Sequence, residues 1–125
     1  MFDFLMRSAP RRTDILGRLG LTPNDSRALG SLDPREGRTM RSLADEWQCD
    51  ASNATWIVDR LERAGLAERR GDPADRRVKL VVLTPHGAET RAEVMARFYA
   101  TPPELLRLGP ADLHALERAL EKLEP

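Results

Sequence analysis

Ser52, Asn53, Thr55 and Trp56 fall in one short stretch, Arg60 and Arg63 follow closely, and Asp75, Arg76 and Arg77 form a cluster farther on. Hydroxyl and carboxamide groups both donate and accept hydrogen bonds, the chemistry that reads base edges and grips phosphate oxygens. Adjacent guanidinium groups carry charge that an electronegative groove attracts, and a carboxylate such as Asp75 can hold one of them extended. This is the chemistry of binding, not of bond breaking. No glycine-rich phosphate loop, metal-spaced cluster or nucleophile with an attendant base occurs, so no catalytic residue, cofactor or metal site is expected. Cys49 is the single cysteine, which excludes an intrachain disulfide. It reads as a small buried plug beside Asp50, a neighbour that would not lower a thiol pKa. His86 and His114 read as surface or packing residues.

Two short helices and a hairpin must present these side chains. Met40, Leu43, Ala44 and Trp47 recur at i, i+3, i+4 and i+7, the apolar face of one helix. After a break at Gln48 and Cys49, Asp50 is a good N-cap for a second helix, in which Ala54, Ile57, Val58 and Leu61 repeat that spacing and Gly65 can close the end. At about 100° per residue, Ser52, Trp56, Asp59 and Arg63 point away from the apolar stripe, with Asn53, Thr55 and Arg60 on its flanks. Two amphipathic helices across a tight turn are the sequence form of a helix-turn-helix. The period then changes towards two, with strands predicted at 66–70 and 78–83 around the turn residues of 71–77. That hairpin is a candidate wing spanning residues 66–84.

The flanks are helical in pattern. Residues 1–20 are expected to form a partly disordered segment or a short frayed helix, because Pro10 interrupts a long one and only Ile15, Leu16 and Leu19 make a stripe. Thr22 can cap a helix that has Pro23 at its first position and Asp25 in its first turn, running to about Leu32 before a loop at Asp33 to Gly37. Thr84 and Pro85 repeat that start, for a helix with Ala88, Ala92, Met95 and Tyr99 inward until Thr101, Pro102 and Pro103 stop it. A short turn around Leu105 to Leu108 precedes a last helix from Gly109 and Pro110, with Leu113, Leu116, Leu120 and Leu123 on one side. The expected fold is mainly α with a small β-hairpin wing (α+β). It divides into an N-terminal segment at 1–20, a winged helix-turn-helix DNA-binding domain at 21–84, and C-terminal dimerisation helices at 85–125.

Composition sets the class. With 125 residues, 41% hydrophobic and 32% charged, the chain suits one globular domain. No apolar run approaches the roughly 20 residues that span a bilayer. The apolar Met1 to Met6 lacks a basic leader before it and a cleavage site after it, so a cytoplasmic location and no membrane partner are expected. Lys plus Arg and Asp plus Glu are both 20, whereas nucleic-acid-binding domains usually lean basic. Distribution favours binding nonetheless: between residues 60 and 79 seven cations face four acids, while between 103 and 125 three cations face five.

Each feature has a plainer reading. The polar face of an amphipathic helix is usually only solvated, and an Asp-Arg-Arg loop is usually a surface ion-pair cluster. Trp56 argues against the first, because an outward aromatic needs cover from a thymine methyl, a sugar, the wing or another subunit. The hairpin's place directly after the helix pair argues against the second. Neutral total charge and an outward Trp56 also motivate an alternative, a winged-helix protein-interaction module without a DNA target.

Taken in order, Leu43-Ala44, Asp50-Ala51-Ser52-Asn53-Ala54-Thr55, Val58-Asp59-Arg60-Leu61-Glu62-Arg63-Ala64-Gly65-Leu66, Asp72-Pro73-Ala74-Asp75-Arg76-Arg77 and Leu83-Thr84-Pro85-His86-Gly87 resemble the MarR family of bacterial transcriptional regulators. The resemblance covers about residues 21 to 100. It implies a sequence-specific regulator of transcription, a repressor acting as a homodimer on double-stranded DNA at a pseudo-palindromic operator. Recognition helices would enter successive major grooves and wing arginines the flanking minor grooves. Release by a small aromatic or anionic effector, or by an oxidant, is also implied. Carried over by motif, the DNA contacts fall on Ser52, Asn53, Thr55 and Trp56, and on Asp75 with Arg76 or Arg77. Trp56 stands where relatives commonly carry a polar or basic residue. Relatives also usually have a longer first helix, which joins the C-terminal helices in the dimer interface.

Overall fold

The computed structural model describes residues 1–123. In chain order it contains α1 (Phe2–Leu19), α2 (Pro23–Ser31), β1 (Arg38–Thr39), α3 (Met40–Trp47), α4 (Ala51–Arg63), β2 (Ala67–Gly71), β3 (Lys79–Leu83), α5 (Pro85–Arg97), a 3₁₀ turn at Leu105–Arg107 and α6 (Pro110–Glu121). No helix is long and apolar enough to cross a membrane among these residues.

The helices begin where short polar side chains can satisfy their first free N–H groups. At α2 the Thr22 hydroxyl accepts from the Asp25 N–H at 3.1 Å, and the Asp25 carboxylate accepts from the Thr22 N–H at 3.0 Å. This is a reciprocal capping box, a closer fit than the dipole reading of Asp25 requires. Thr39 caps α3, Asp50 caps α4 and Thr84 caps α5 in the same way, each accepting from the N–H three residues on. Between α3 and α4 the chain turns at Gln48, whose φ of 53° is left-handed, and the Cys49 N–H closes the turn on the Ala44 carbonyl at 3.1 Å. Gly65 follows the end of α4 with a φ of 72°, a conformation that favours glycine.

The two predicted stripes form the centre of the core. Leu43, Ala44 and Trp47 of α3 and Ala54, Ile57, Val58 and Leu61 of α4 are buried with Leu29, Leu32, Leu66 and Val81. The Trp47 indole N–H donates to the Ser31 hydroxyl at 3.0 Å, so its one polar atom is satisfied. β2 and β3 form the expected hairpin, registered from Ala67 opposite Leu83 to Gly71 opposite Lys79. β3 is nevertheless the middle of three strands, because Arg38 and Thr39 pair with Val81 and Leu80 on its other edge. Two residues are too short to show a period, so β1 gives no sequence signal between the loop at Asp33 to Gly37 and the stripe that begins at Met40.

Three expectations need correction. Residues 1–20 do not fray into a short helix: α1 is 18 residues long with Pro10 inside it. Proline removes one backbone donor, but Leu16 is buried in the core and Arg11 meets Glu104, 93 residues away, at 2.6 Å. Tertiary contacts thus outweigh the local penalty. In α5 the inward face is Gly87, Thr90 and Val94, while Ala92 and Tyr99 are exposed and Ala88 and Met95 only half-buried. The reason is steric, since a Cβ on Gly87 would stand 1.8 Å from the Leu66 carbonyl oxygen, and only a glycine can face the backbone just before β2 there. Finally, Cys49 is half-exposed at the edge of the core and not enclosed by it, because the turn it occupies lies at the surface.

α6 contains no buried residue. Its leucines share one side as expected, with Leu113 and Leu116 half-buried and Leu120 exposed; Leu123, expected to continue the stripe, lies past the helix end and is exposed.

Candidate nucleic-acid interface

The outward face of α4 carries Ser52, Asn53, Thr55, Trp56 and Arg63, all exposed. Asp50 organises its first turn: one carboxylate oxygen accepts from the Asn53 N–H at 2.8 Å and from the Ser52 hydroxyl at 2.8 Å. Those bonds, the Asn53 N–H first, hold the Asp50 pKa below the ordinary carboxylate value. Thr55 donates its hydroxyl to the Ala51 carbonyl at 2.8 Å. Ser52 and Thr55 therefore offer outward lone pairs more readily than protons, which suits acceptance from a base amino group or a water.

Arg60 turns inward. Its Nε and Nη2 donate to the two oxygens of Asp25 at 3.1 and 2.8 Å, a bidentate pair across α4 and α2. Its guanidinium carbon also lies 5.1 Å from the centre of the Trp56 ring. The sequence placed Arg60 on the flank of the reading face, and its position there is right, but its charge is already spoken for. Asp25 sits 35 residues earlier and gave no sign of this role. Burial of Asp25 opposes its ionisation, yet the Arg60 hydrogen bonds, the Thr22 N–H and hydroxyl, and the Arg60 charge outweigh it and hold the pKa below the ordinary value.

A carboxyl whose pKa is lower folded than unfolded contributes stability above the unfolded value of about 3.9, and that stability is lost as pH falls through the folded value. Urea midpoints taken from pH 6 to pH 2.5 should therefore fall less steeply in Asp25→Asn than in the wild type. Parallel curves would mean that Asp25 titrates alike in the folded and unfolded chain.

The wing is fixed at both ends. At its root, Arg69 of β2 bridges Asp59 at 2.9 Å and Glu62 at 2.7 Å, both on α4. Desolvation works against the charge of Arg69, but the two carboxylates outweigh it and raise its pKa. This clip ties the hairpin to the helix and was missed in the sequence; acids at i and i+3 on α4, followed by an arginine in the next strand, were its only signal. At the tip, the Val78 N–H donates to the Asp75 carbonyl at 2.9 Å, which puts Arg76 and Arg77 at the two central positions of a β-turn. The Asp75 carboxylate accepts from the Arg77 N–H at 3.0 Å and from its Nε at 3.3 Å. Arg77 is nevertheless almost wholly exposed, with 92% of its side chain accessible, and Arg76 is exposed beside it. Asp75 therefore orients the tip without covering it.

The sequence model of the MarR family matches residues 19–78. The uncharacterized HTH-type transcriptional regulator YsmB of Bacillus subtilis (strain 168) is 32% identical over 84 residues, covering 67% of this chain and 58% of YsmB. The chain thus spans less than two thirds of that relative. Among solved structures, the YusO protein from Bacillus subtilis superposes with a TM-score of 0.77 at 25% identity, over 97% of this chain and 86% of YusO. The S. aureus MepR–DNA complex gives a TM-score of 0.76 at 21% identity, over 98% of this chain and 94% of MepR.

Proposed function

The chain belongs to the MarR family of winged helix-turn-helix transcriptional regulators, and from that premise we propose that it binds double-stranded DNA as a homodimer at a pseudo-palindromic operator and represses transcription there. The observation that carries this reading is the Arg69 clip, which fixes an arginine-tipped wing beside a helix whose outward face is polar and exposed. In this arrangement Ser52, Asn53, Thr55 and Trp56 meet base edges in the major groove, Arg63 meets phosphate, and Arg76 and Arg77 enter the minor groove with Asp75 orienting them. Arg60 serves the interface through its neighbours. MepR, which shares the fold, has been solved with DNA.

Dimerisation is supported by α6, whose leucine side has no cover of its own, and by the exposed Phe2, Leu5 and Met6 of α1. A single head of this size would gain few contacts, and a two-fold operator answers a two-fold protein. A small anionic effector would find Arg12 in a cleft of about 140 Å³ that is also lined by Ser8, Arg11, Arg97, Thr101 and Pro102, with Arg11 paired to Glu104 and Arg97 to Glu93.

Selection of bound sequences from a random double-stranded DNA pool tests the reading: a two-fold motif is expected, and failure to enrich any motif would overturn it in favour of a protein-binding module. With the selected operator in hand, Arg76→Ala combined with Arg77→Ala should lower affinity by about tenfold or more, flatten the salt dependence, and leave the thermal midpoint unchanged. Unaltered binding would remove the wing from the interface.

A further inference from the structure

We infer that Trp56 is a thymine-reading residue, backed and oriented by Asp25 and Arg60, and that the position facing it in each half-site of the operator is selected for the C5 methyl group. The inference rests on the DNA-binding reading above and adds the base and the device that reads it.

Trp56 is 55% exposed on the outward face of α4, where an unsupported indole would move among several rotamers. Here it is backed. Arg60 stands one turn on, and its planar guanidinium lies 5.1 Å from the ring centre. Arg60 cannot drift away, because Nε and Nη2 are both held by the Asp25 carboxylate. Asp25 is buried and is itself fixed by the Thr22 N–H at the start of α2. A chain of three side chains therefore runs from the buried start of α2 to an exposed aromatic surface, and each link restricts the next.

The exposed remainder of that ring is apolar and broad. In the major groove thymine alone presents a methyl group, beside its O4 acceptor; guanine, adenine and cytosine offer no such apolar projection, and their donors and acceptors would be covered by an indole surface without being satisfied. The preference follows from that asymmetry. The same geometry separates the two roles open to Arg60: as a phosphate ligand it would be replaceable by lysine, whereas backing a ring requires a flat group held at two nitrogens.

The test uses the full chain and four proteins: wild type, Trp56→Ala, Trp56→Phe and Arg60→Lys. Each is put through the same selection, and the wild-type operator is then remade with deoxyuridine in place of the facing thymine, which deletes only the methyl group. The wild type should prefer thymine at one position per half-site by about fivefold or more, and should lose a comparable factor on the uracil operator. Trp56→Ala should lose that preference, bind both operators equally and keep its preferences elsewhere. Trp56→Phe should retain part of the preference. Arg60→Lys should weaken it although the charge is kept. If Arg60→Lys does not fold, the Trp56 variants and the uracil operator decide the question, since Trp56 is exposed and its loss leaves the core intact. A motif unaltered by Trp56→Ala, or a wild type indifferent to uracil, overturns this inference and leaves the DNA-binding reading standing. A wild type that enriches no motif overturns both.

Discussion

Replacing Leu113 and Leu116 together by glutamate is expected to leave a folded monomer whose affinity for the selected operator is lower by roughly a hundredfold or more. The fold should survive because α6 contributes no buried residue to its own chain. The affinity should not, because two joined heads bind the second half-site as an intramolecular event, and separate heads lose that advantage. Two new carboxylates would also sit among Glu117 and Glu121 on the same helix, so any pairing of copies there would meet like charge. Sedimentation equilibrium gives the oligomeric state, and gel shifts on the whole operator and on one half-site give the coupling. A variant that stays dimeric would move the interface to the exposed Phe2, Leu5 and Met6 of α1. A monomer that binds the whole operator as tightly as the wild type would defeat the two-fold reading.

Gly87→Ala is expected to destabilise the protein by about 3 kcal/mol, the upper part of the usual range for overpacking. The clash is between a new Cβ and backbone, at 1.8 Å from the Leu66 carbonyl oxygen, and that carbonyl accepts the Thr84 N–H at 3.1 Å. Relief therefore requires α5 and the root of the wing to part. The urea midpoint should drop sharply, and DNA affinity should drop with it, because the hairpin enters the interface from that root. Gly71→Ala is the control: nothing lies within 4 Å of a Cβ built there and its backbone is not left-handed, so little change is expected. An unchanged midpoint for Gly87→Ala would mean that the two elements have room to slide.

The two predictions draw on parts of the protein that differed in how readily they could be read. The leucine side of α6 was legible at once, since four leucines at helical spacing announce a face. What the sequence could not say was whether its own chain covers that face. The rotation of α5 differs from the expected one because Ala88, Ala92, Met95 and Tyr99 have side chains to pack, while Gly87 has none to bury and so gives an apolar pattern no signal. Close backbone approach decides the rotation: the residue with nothing to pack is the one that must face the Leu66 backbone.

The candidate site divides along the same line. Periodicity alone places Ser52, Trp56 and Arg63 on the outward face with Asn53 and Thr55 on its flanks, and turn residues place Asp75, Arg76 and Arg77 on the hairpin tip; in the structure the five helix residues are exposed and the three others lie at the tip. Arg60 was placed on the correct flank, but its partner was invisible. So was the tie between Arg69 and α4. An ion pair between Asp25 and Arg60 spans 35 residues and depends on where α2 crosses α4, a quantity no local pattern contains.

By itself, then, the sequence determined the starts of α2, α4 and α5, the two apolar stripes, the turn and the hairpin, because each depends on residues within a few positions of one another: a cap and its N–H three residues on, a stripe at i and i+4, a strand at i and i+2. Tertiary structure alone decided that α1 continues through Pro10, that β1 joins the hairpin on the free edge of β3, how α5 is rotated, and which charges stay exposed and which pair with each other. Those outcomes depend on distances between elements far apart in the chain. Packing sets such distances by excluding overlap and burying apolar surface, and the charged side chains then pair with whatever that packing brings within reach.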